Sequence, residues 1–215
     1  MTKPLTAGID PGKSGYACLI GDLVRDPEEA LLDISITLLP PHFWPACVDA
    51  DGNYILWKMW ELCRRWYEMN VRLVVIEKQA PRLHGSGKLG AGREGTVSSW
   101  TNGFGYGAWR MALAAAGFTE GHNIQGVNEV VEVSPVTWKS SMGALASHSG
   151  VDSHAARRKS ANEATLRVAQ RLAPEVDFRP LERTPGARVP SPDKAVSFLL
   201  ARYGQWVLDE KEKKR

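Results

Sequence analysis

"LTAGIDPGKSGYACLI", residues 5–20, decides the fold. A short apolar stretch, 5–10, ends on Asp10, turns through Pro-Gly-Lys-Ser-Gly and runs into a second apolar stretch, 16–21. The two read as paired strands of a hairpin. Strand alternation puts Leu5, Ala7 and Ile9 on one face and Thr6, Gly8 and Asp10 on the other. Asp10 therefore ends its strand among small neighbours, and Gly8 is expected to leave room beside it. The turn superficially matches a phosphate loop, which needs four residues between its first Gly and the Gly-Lys-Ser. Gly8 and Gly12 have only three between them, and the turn leads into a strand rather than a helix.

Further along, "ISITLL", 34–39, reads as a third strand, with Pro40, Pro41 and Pro45 breaking the chain behind it. In 54–69, Leu56, Met59, Trp60, Cys63 and Tyr67 recur at helical spacing, and Asn70 can end that helix. "VRLVVIEK", 71–78, reads as a buried strand, so strand, helix and strand in this order imply parallel pairing through a crossover. Residues 81–99 hold five glycines and no apolar period, and read as a long mobile loop. A helix is expected over 100–116 with Gly117 as its C-cap, a strand over 130–135 and a short helix over 136–142. Ser153 can cap a basic helix, and Ser191 followed by Pro192 can open the last one, which is expected to end near Tyr203 or slightly beyond. With no internal repeat and no linker, residues 1–208 read as a single mixed α/β domain and 209–215 as a charged, solvated tail.

The 215 residues are enough for one full core, and 43% apolar with 24% charged content is ordinary for a globular protein. A net charge of +3 permits a nucleic-acid partner without requiring one. No run of 18 apolar residues and no signal peptide is visible, so a cytoplasmic setting without a membrane partner is expected. Cys18, Cys47 and Cys63 lack metal-like spacing and read as reduced and buried. Most of the eight tryptophans read as core or interface.

Two further acids stand out. Glu77 ends an otherwise apolar strand, where a carboxylate is costly unless paired or metal-bound. If the strands at 5–10 and 71–78 are neighbours, Asp10 and Glu77 face one crevice at their carboxyl ends, where ligands gather in open α/β sheets. Asp193, in the first turn of the last helix, is placed to reach back toward the sheet. Close carboxylates raise each other's pKa, and a hard divalent cation such as magnesium or manganese relieves the conflict. Each acid also has an ordinary reading: Asp10 as a turn residue, Glu77 in an ion pair, Asp193 as a favourable charge at a helix N-terminus.

"GIDPGKSGYACLI", "LVVIEKQAP", "TNGFGYGAWRMALAAAGF", "VSPVTWKSSMGA", "RRKSANEATLRVAQRL" and "DKAVSFLLARYG", in this order, resemble the RuvC-type Holliday junction resolvases of the ribonuclease H-like nuclease superfamily. The resemblance spans about residues 5–204. It implies a ribonuclease H-like α/β fold with a mixed central sheet flanked by helices. It implies Asp10, Glu77 and Asp193 as catalytic metal ligands for two Mg²⁺ ions, with Mn²⁺ as a substitute. It implies Lys139 and Lys159 as DNA-contacting lysines, Lys139 also serving catalysis. The expected activity is hydrolysis of phosphodiesters in four-way DNA junctions by a homodimer, leaving 5′-phosphate and 3′-hydroxyl ends. Arg157 and Arg158 on the basic helix, with Lys88 and Arg93 on the glycine-rich loop, then become candidate DNA contacts; a solvated helix face is the alternative for Arg157 to Lys159. The family's further Asp or His, three residues before the last acid, is replaced here by Pro190, with Asp177 and Glu182 as nearby substitutes. This departure keeps open a junction-binding protein with a weakened site, or a nuclease of the same fold acting on other branched or hybrid substrates.

Overall fold

A computed structural model describes residues 3–22, 38–79, 96–120, 128–146, 153–180 and 189–214. Its centre is a six-stranded sheet. The strands are β1 (Thr6–Ile9), β2 (Tyr16–Asp22), β3 (Leu38–Pro45), β4 (Leu73–Glu77), β5 (Thr119–Glu120) and β6 (Glu129–Val133), in the order β3-β2-β1-β4-β6-β5. β1, β2 and β3 form an antiparallel meander, and β4, β6 and β5 continue parallel to β1. The helices are α1 (Leu56–Glu68), α2 (Thr96–Ala116), α3 (Pro135–Ser141), α4 (His154–Leu172) and α5 (Pro192–Lys213). A meander joined to parallel strands through helical crossovers is the ribonuclease H-like arrangement.

Period-two alternation divides the core between the two faces of the sheet. Leu5, Ala7, Ile9, Ala17, Leu19, Val74 and Ile76 pack under α1 and α2. Cys18, Ile20, Leu73, Val75 and Val133 pack under α3, α4 and α5. Local chemistry sets several boundaries. Ser153 accepts from the Ala156 N–H and Ser191 from the Lys194 N–H, capping α4 and α5. Asn70 takes φ 56° after α1, and Gly117 takes φ 103° after α2.

The prolines do not break the third strand. β3 runs through Pro40, Pro41 and Pro45 at the edge of the sheet. The pairs Leu19–His42 and Gly21–Leu39 leave one residue of β2 facing Pro40 and Pro41 together, a bulge that needs no ladder donor from either proline. Residues 34–37 lie outside the described residues. On α1 the buried stripe is Met59, Leu62, Cys63 and Trp66, whereas Leu56 is 53% and Trp60 42% exposed, so the helix is turned from the expected face. α2 begins at Thr96, four residues before the expected start, while 81–95 lie outside the described residues.

The last helix also outruns its expected end near Tyr203. α5 continues to Lys213, where Lys211 Nζ lies 2.6 Å from the buried carboxylate of Glu129 and Glu212 faces Arg72 at 3.5 Å. Within the run read as a solvated tail, 209–213 thus continue a helix tied to the base of the sheet. The three cysteines are free; Cys18 and Cys63 are buried and Cys47 is half-buried. Among the described residues, no helix is long and apolar enough to cross a membrane.

Candidate active site

The register of β1 against β4 builds the site. Gly8 pairs with Val75 and Ile9 with Ile76, so the next residues, Asp10 and Glu77, leave the sheet side by side. Both belong to the alternation set of Gly8 and Val75, on the face covered by α5. Gly8 does not leave space beside Asp10, as the sequence implied. A Cβ at Gly8 would stand 2.2 Å from the Ser197 carbonyl oxygen and 2.4 Å from the Ala201 nitrogen. The missing side chain is where the backbone of α5 sits. The Thr6 hydroxyl donates to the Ala201 carbonyl at 2.9 Å and fixes the same contact. This close seat brings the first turn of α5, with Asp193, to the carboxyl ends of β1 and β4.

The three acids feel one another. Burial raises the Asp10 carboxyl well above the ordinary range, and the charges of Glu77 and Asp193 raise it further. The Gly12 N–H, 3.2 Å from Asp10 Oδ1, and the charge of Lys139 oppose that rise. Glu77 is raised by burial and by Asp193, against a hydrogen bond from Trp138 Nε1 at 3.1 Å and the charge of Lys139. Asp193 is raised by burial, against a hydrogen bond from Ser14 and the charge of Arg158. The three carboxylates share too little positive charge, and their oxygens are donors of the hard type that a divalent cation such as magnesium accepts. As they stand, no group of three His, Cys, Asp or Glu side chains among the described residues is gathered tightly enough to grip an ion.

The basic candidates separate. Lys139, in the last turn of α3, lies 5.3 Å from the Trp138 ring centroid and bears on both Asp10 and Glu77. Arg158, in the first turns of α4, bears on Asp193. Arg157 is exposed on the same helix. Lys159 is 79% exposed and stands 3.9 Å from Glu163 one turn on, at the solvent face. Lys88 and Arg93 lie outside the described residues, as does Glu182. Asp177, the other candidate for a fourth acid, is exposed and held by Arg179 Nη2 at 2.6 Å, which keeps its carboxyl far below the ordinary range. Its carboxylate is taken up by Arg179, and Lys194 Nζ bonds its backbone carbonyl at 2.5 Å.

Sequence reasoning missed Trp138 and Ser14. Trp138 is one residue from Lys139 and fully buried, and its indole N–H orients Glu77. Ser14 lies in the hairpin turn and reaches Asp193 from across the site. A polar tip on a buried indole usually finds a partner, and that was the available signal for Trp138. Ser14 carried none.

No protein-family model matches the chain, and no curated protein matches it in sequence. Among solved structures, the chain is similar to RuvC of Thermus thermophilus, with 15% identity over 95% of this chain and 96% of that one and a TM-score of 0.44. It is also similar to the Fowlpox virus resolvase solved with its substrate, Holliday junction DNA, with 14% identity over 95% and 98% of the two chains and a TM-score of 0.39.

Proposed function

We propose that this chain is a metal-dependent, structure-selective endonuclease that hydrolyses phosphodiesters at four-way DNA junctions, with Asp10, Glu77 and Asp193 holding two magnesium ions. The observation that carries this reading is the convergence of three sequence-distant acids at the carboxyl ends of β1 and β4, each raised by burial and two of them by their neighbours' charge. The choice of junction DNA rests on the ordered motifs that resemble RuvC-type resolvases. Magnesium, when bound, would activate the attacking water and neutralise charge on the phosphate, leaving 5′-phosphate and 3′-hydroxyl ends. Asp10, which feels the charges of both other acids, would hold the metal together with Glu77 and Asp193. Trp138 keeps Glu77 in one orientation, and Ser14 does so for Asp193.

Lys139 supplies a fixed positive charge at the pocket, suited to a phosphate oxygen of the substrate. Arg158, with Arg157 and Lys159 beside it at the start of α4 and Lys88 and Arg93 between β4 and α2 in the chain, would follow the flanking backbone. A homodimer would present two such sites to the symmetry-related strands of a junction.

Pro190 favours a second reading, a junction-binding protein with a weakened site, because no carboxylate stands at that position. A cleavage assay separates the two. Wild type, Asp10→Asn and Lys139→Ala are incubated with a mobile four-way junction, duplex, flap and RNA–DNA hybrid, with Mg²⁺ or Mn²⁺. Paired symmetric nicks in the junction alone are expected, abolished in Asp10→Asn with binding kept and reduced in Lys139→Ala with folding kept. Tight junction binding in EDTA without cleavage in either metal selects the second reading. Equal cutting of plain duplex refutes junction selectivity.

A further inference from the structure

A side chain outside the acid cluster bonds to the peptide whose N–H reaches Asp10. Gly12 N–H donates to Asp10 Oδ1 at 3.2 Å. The other end of that peptide is the Pro11 carbonyl, which accepts from the Tyr54 hydroxyl at 3.2 Å. Tyr54 comes from the loop before α1, 43 residues away in the chain. The peptide is planar, so its C=O and N–H cannot turn independently. A donor on the carbonyl both fixes the plane and polarises the N–H, strengthening the bond it makes beyond.

The surroundings are shaped for this bond. On α2, a Cβ at Gly105 would stand 2.2 Å from the Tyr54 hydroxyl oxygen and 2.8 Å from the Pro11 carbonyl oxygen. Only glycine lets the helix close over both atoms at once. Phe104, the preceding residue, has its ring centroid 5.8 Å from that of Tyr54. The β-bridge of Tyr54 to Val48 and the bond from Ile55 N–H to the Cys47 carbonyl hold the loop itself. Burial, and then the charge of Asp10, pushes the phenol up to about 12, so it remains a donor at neutral pH.

We propose that Tyr54 is a positioning residue for Asp10, acting through the Pro11–Gly12 peptide, with Gly105 as the cradle that admits its hydroxyl. The role of Asp10 as a metal ligand rests on the function proposed above; the hydrogen-bonded relay does not. The test uses full-length, ¹⁵N-labelled protein. Tyr54→Phe keeps the ring and its packing but removes the hydroxyl. In the metal-free protein the Gly12 amide proton should shift upfield and exchange faster, with Tm within about 3 °C of wild type. Mn²⁺ binding, read by the free-ion signal in electron paramagnetic resonance, should weaken about three- to tenfold. Gly105→Ala, which displaces the hydroxyl without removing it, should move the Gly12 amide in the same direction. An unchanged Gly12 amide in either variant overturns the proposal. So does Mn²⁺ affinity equal to wild type in Tyr54→Phe, or a Tm loss above about 10 °C, which makes Tyr54 a structural residue. If wild type takes up no Mn²⁺, the proposed nuclease function fails, while the Gly12 amide still decides the relay.

Discussion

Gly8→Ala is the sharpest perturbation of the site that touches none of its acids. The new Cβ would lie 2.2 Å from the Ser197 carbonyl oxygen, 2.4 Å from the Ala201 nitrogen and 2.8 Å from Leu200 Cβ. Two of these atoms are helix backbone, which cannot swing aside. Restoring ordinary contact at 3.4 Å requires α5 to retreat from β1 by about 1.2 Å. The retreat strains the Thr6–Ala201 hydrogen bond and loosens packing along Ser197, Ala201 and Gly204. Overpacking against backbone belongs at the upper end of the usual range, about 3 kcal/mol. For a chain of this size that lowers Tm by about 6–12 °C. Asp193 travels with α5, and a misplacement of about 1 Å at a reacting centre costs on the order of a hundredfold in rate. Thermal melts followed by circular dichroism, with junction cleavage on the refolded variant, read both effects. A Tm within about 2 °C of wild type would refute the seating of α5 on Gly8.

Three other outcomes follow from the charges. Asp10, Glu77 and Asp193 have folded-state pKa values raised above those of the open chain. Their contribution is fully present below the ordinary carboxylate pKa of about 4 and is lost as pH rises through the raised values. Metal-free protein should therefore lose Tm as pH rises above about 4, Asp10→Asn should flatten that slope and raise Tm at neutral pH, and Mg²⁺ should restore Tm in wild type only. A flat Tm–pH profile in EDTA would contradict this. Lys211→Ala leaves the buried Glu129 carboxylate without its cation and should cost about 1–2 kcal/mol in urea titrations, discounted because Lys211 is itself 38% exposed. Arg158→Ala should reduce the slope of log affinity against log salt for junction DNA by about 0.9, and an unchanged slope would place Arg158 off the DNA path.

How much of this was legible depends on the range over which each residue acts. The hairpin of 5–20 could be read because strand alternation and a turn are local, and the two serine caps because each side chain bonds three residues on. The convergence of Asp10 and Glu77 followed from treating their strands as parallel neighbours. The prolines at 40 and 41 were misread because a proline breaks a central strand but not an edge bulge, and edge position is a property of the whole sheet. The buried face of α1 was misjudged because Leu56, Trp60 and Tyr67 are as apolar as the residues that go inside. Lys211 looked like tail because its partner, Glu129, lies 82 residues away. Gly8 was given the wrong neighbour and Tyr54 no role, because the one is defined by a helix near the other end of the chain and the other by a single carbonyl.

The doubled proline in β3 also governs how copies of this molecule can meet. A free sheet edge invites any extended chain to add itself as another strand, and a sheet left open in that way leads toward fibres. Here the rim carries two consecutive residues without amide hydrogens and a kink that spoils the spacing a newcomer would need. Growth by strand addition is therefore discouraged along β3. A second copy that met this one would then do so through a surface other than this edge, where association can stop at a defined number of partners.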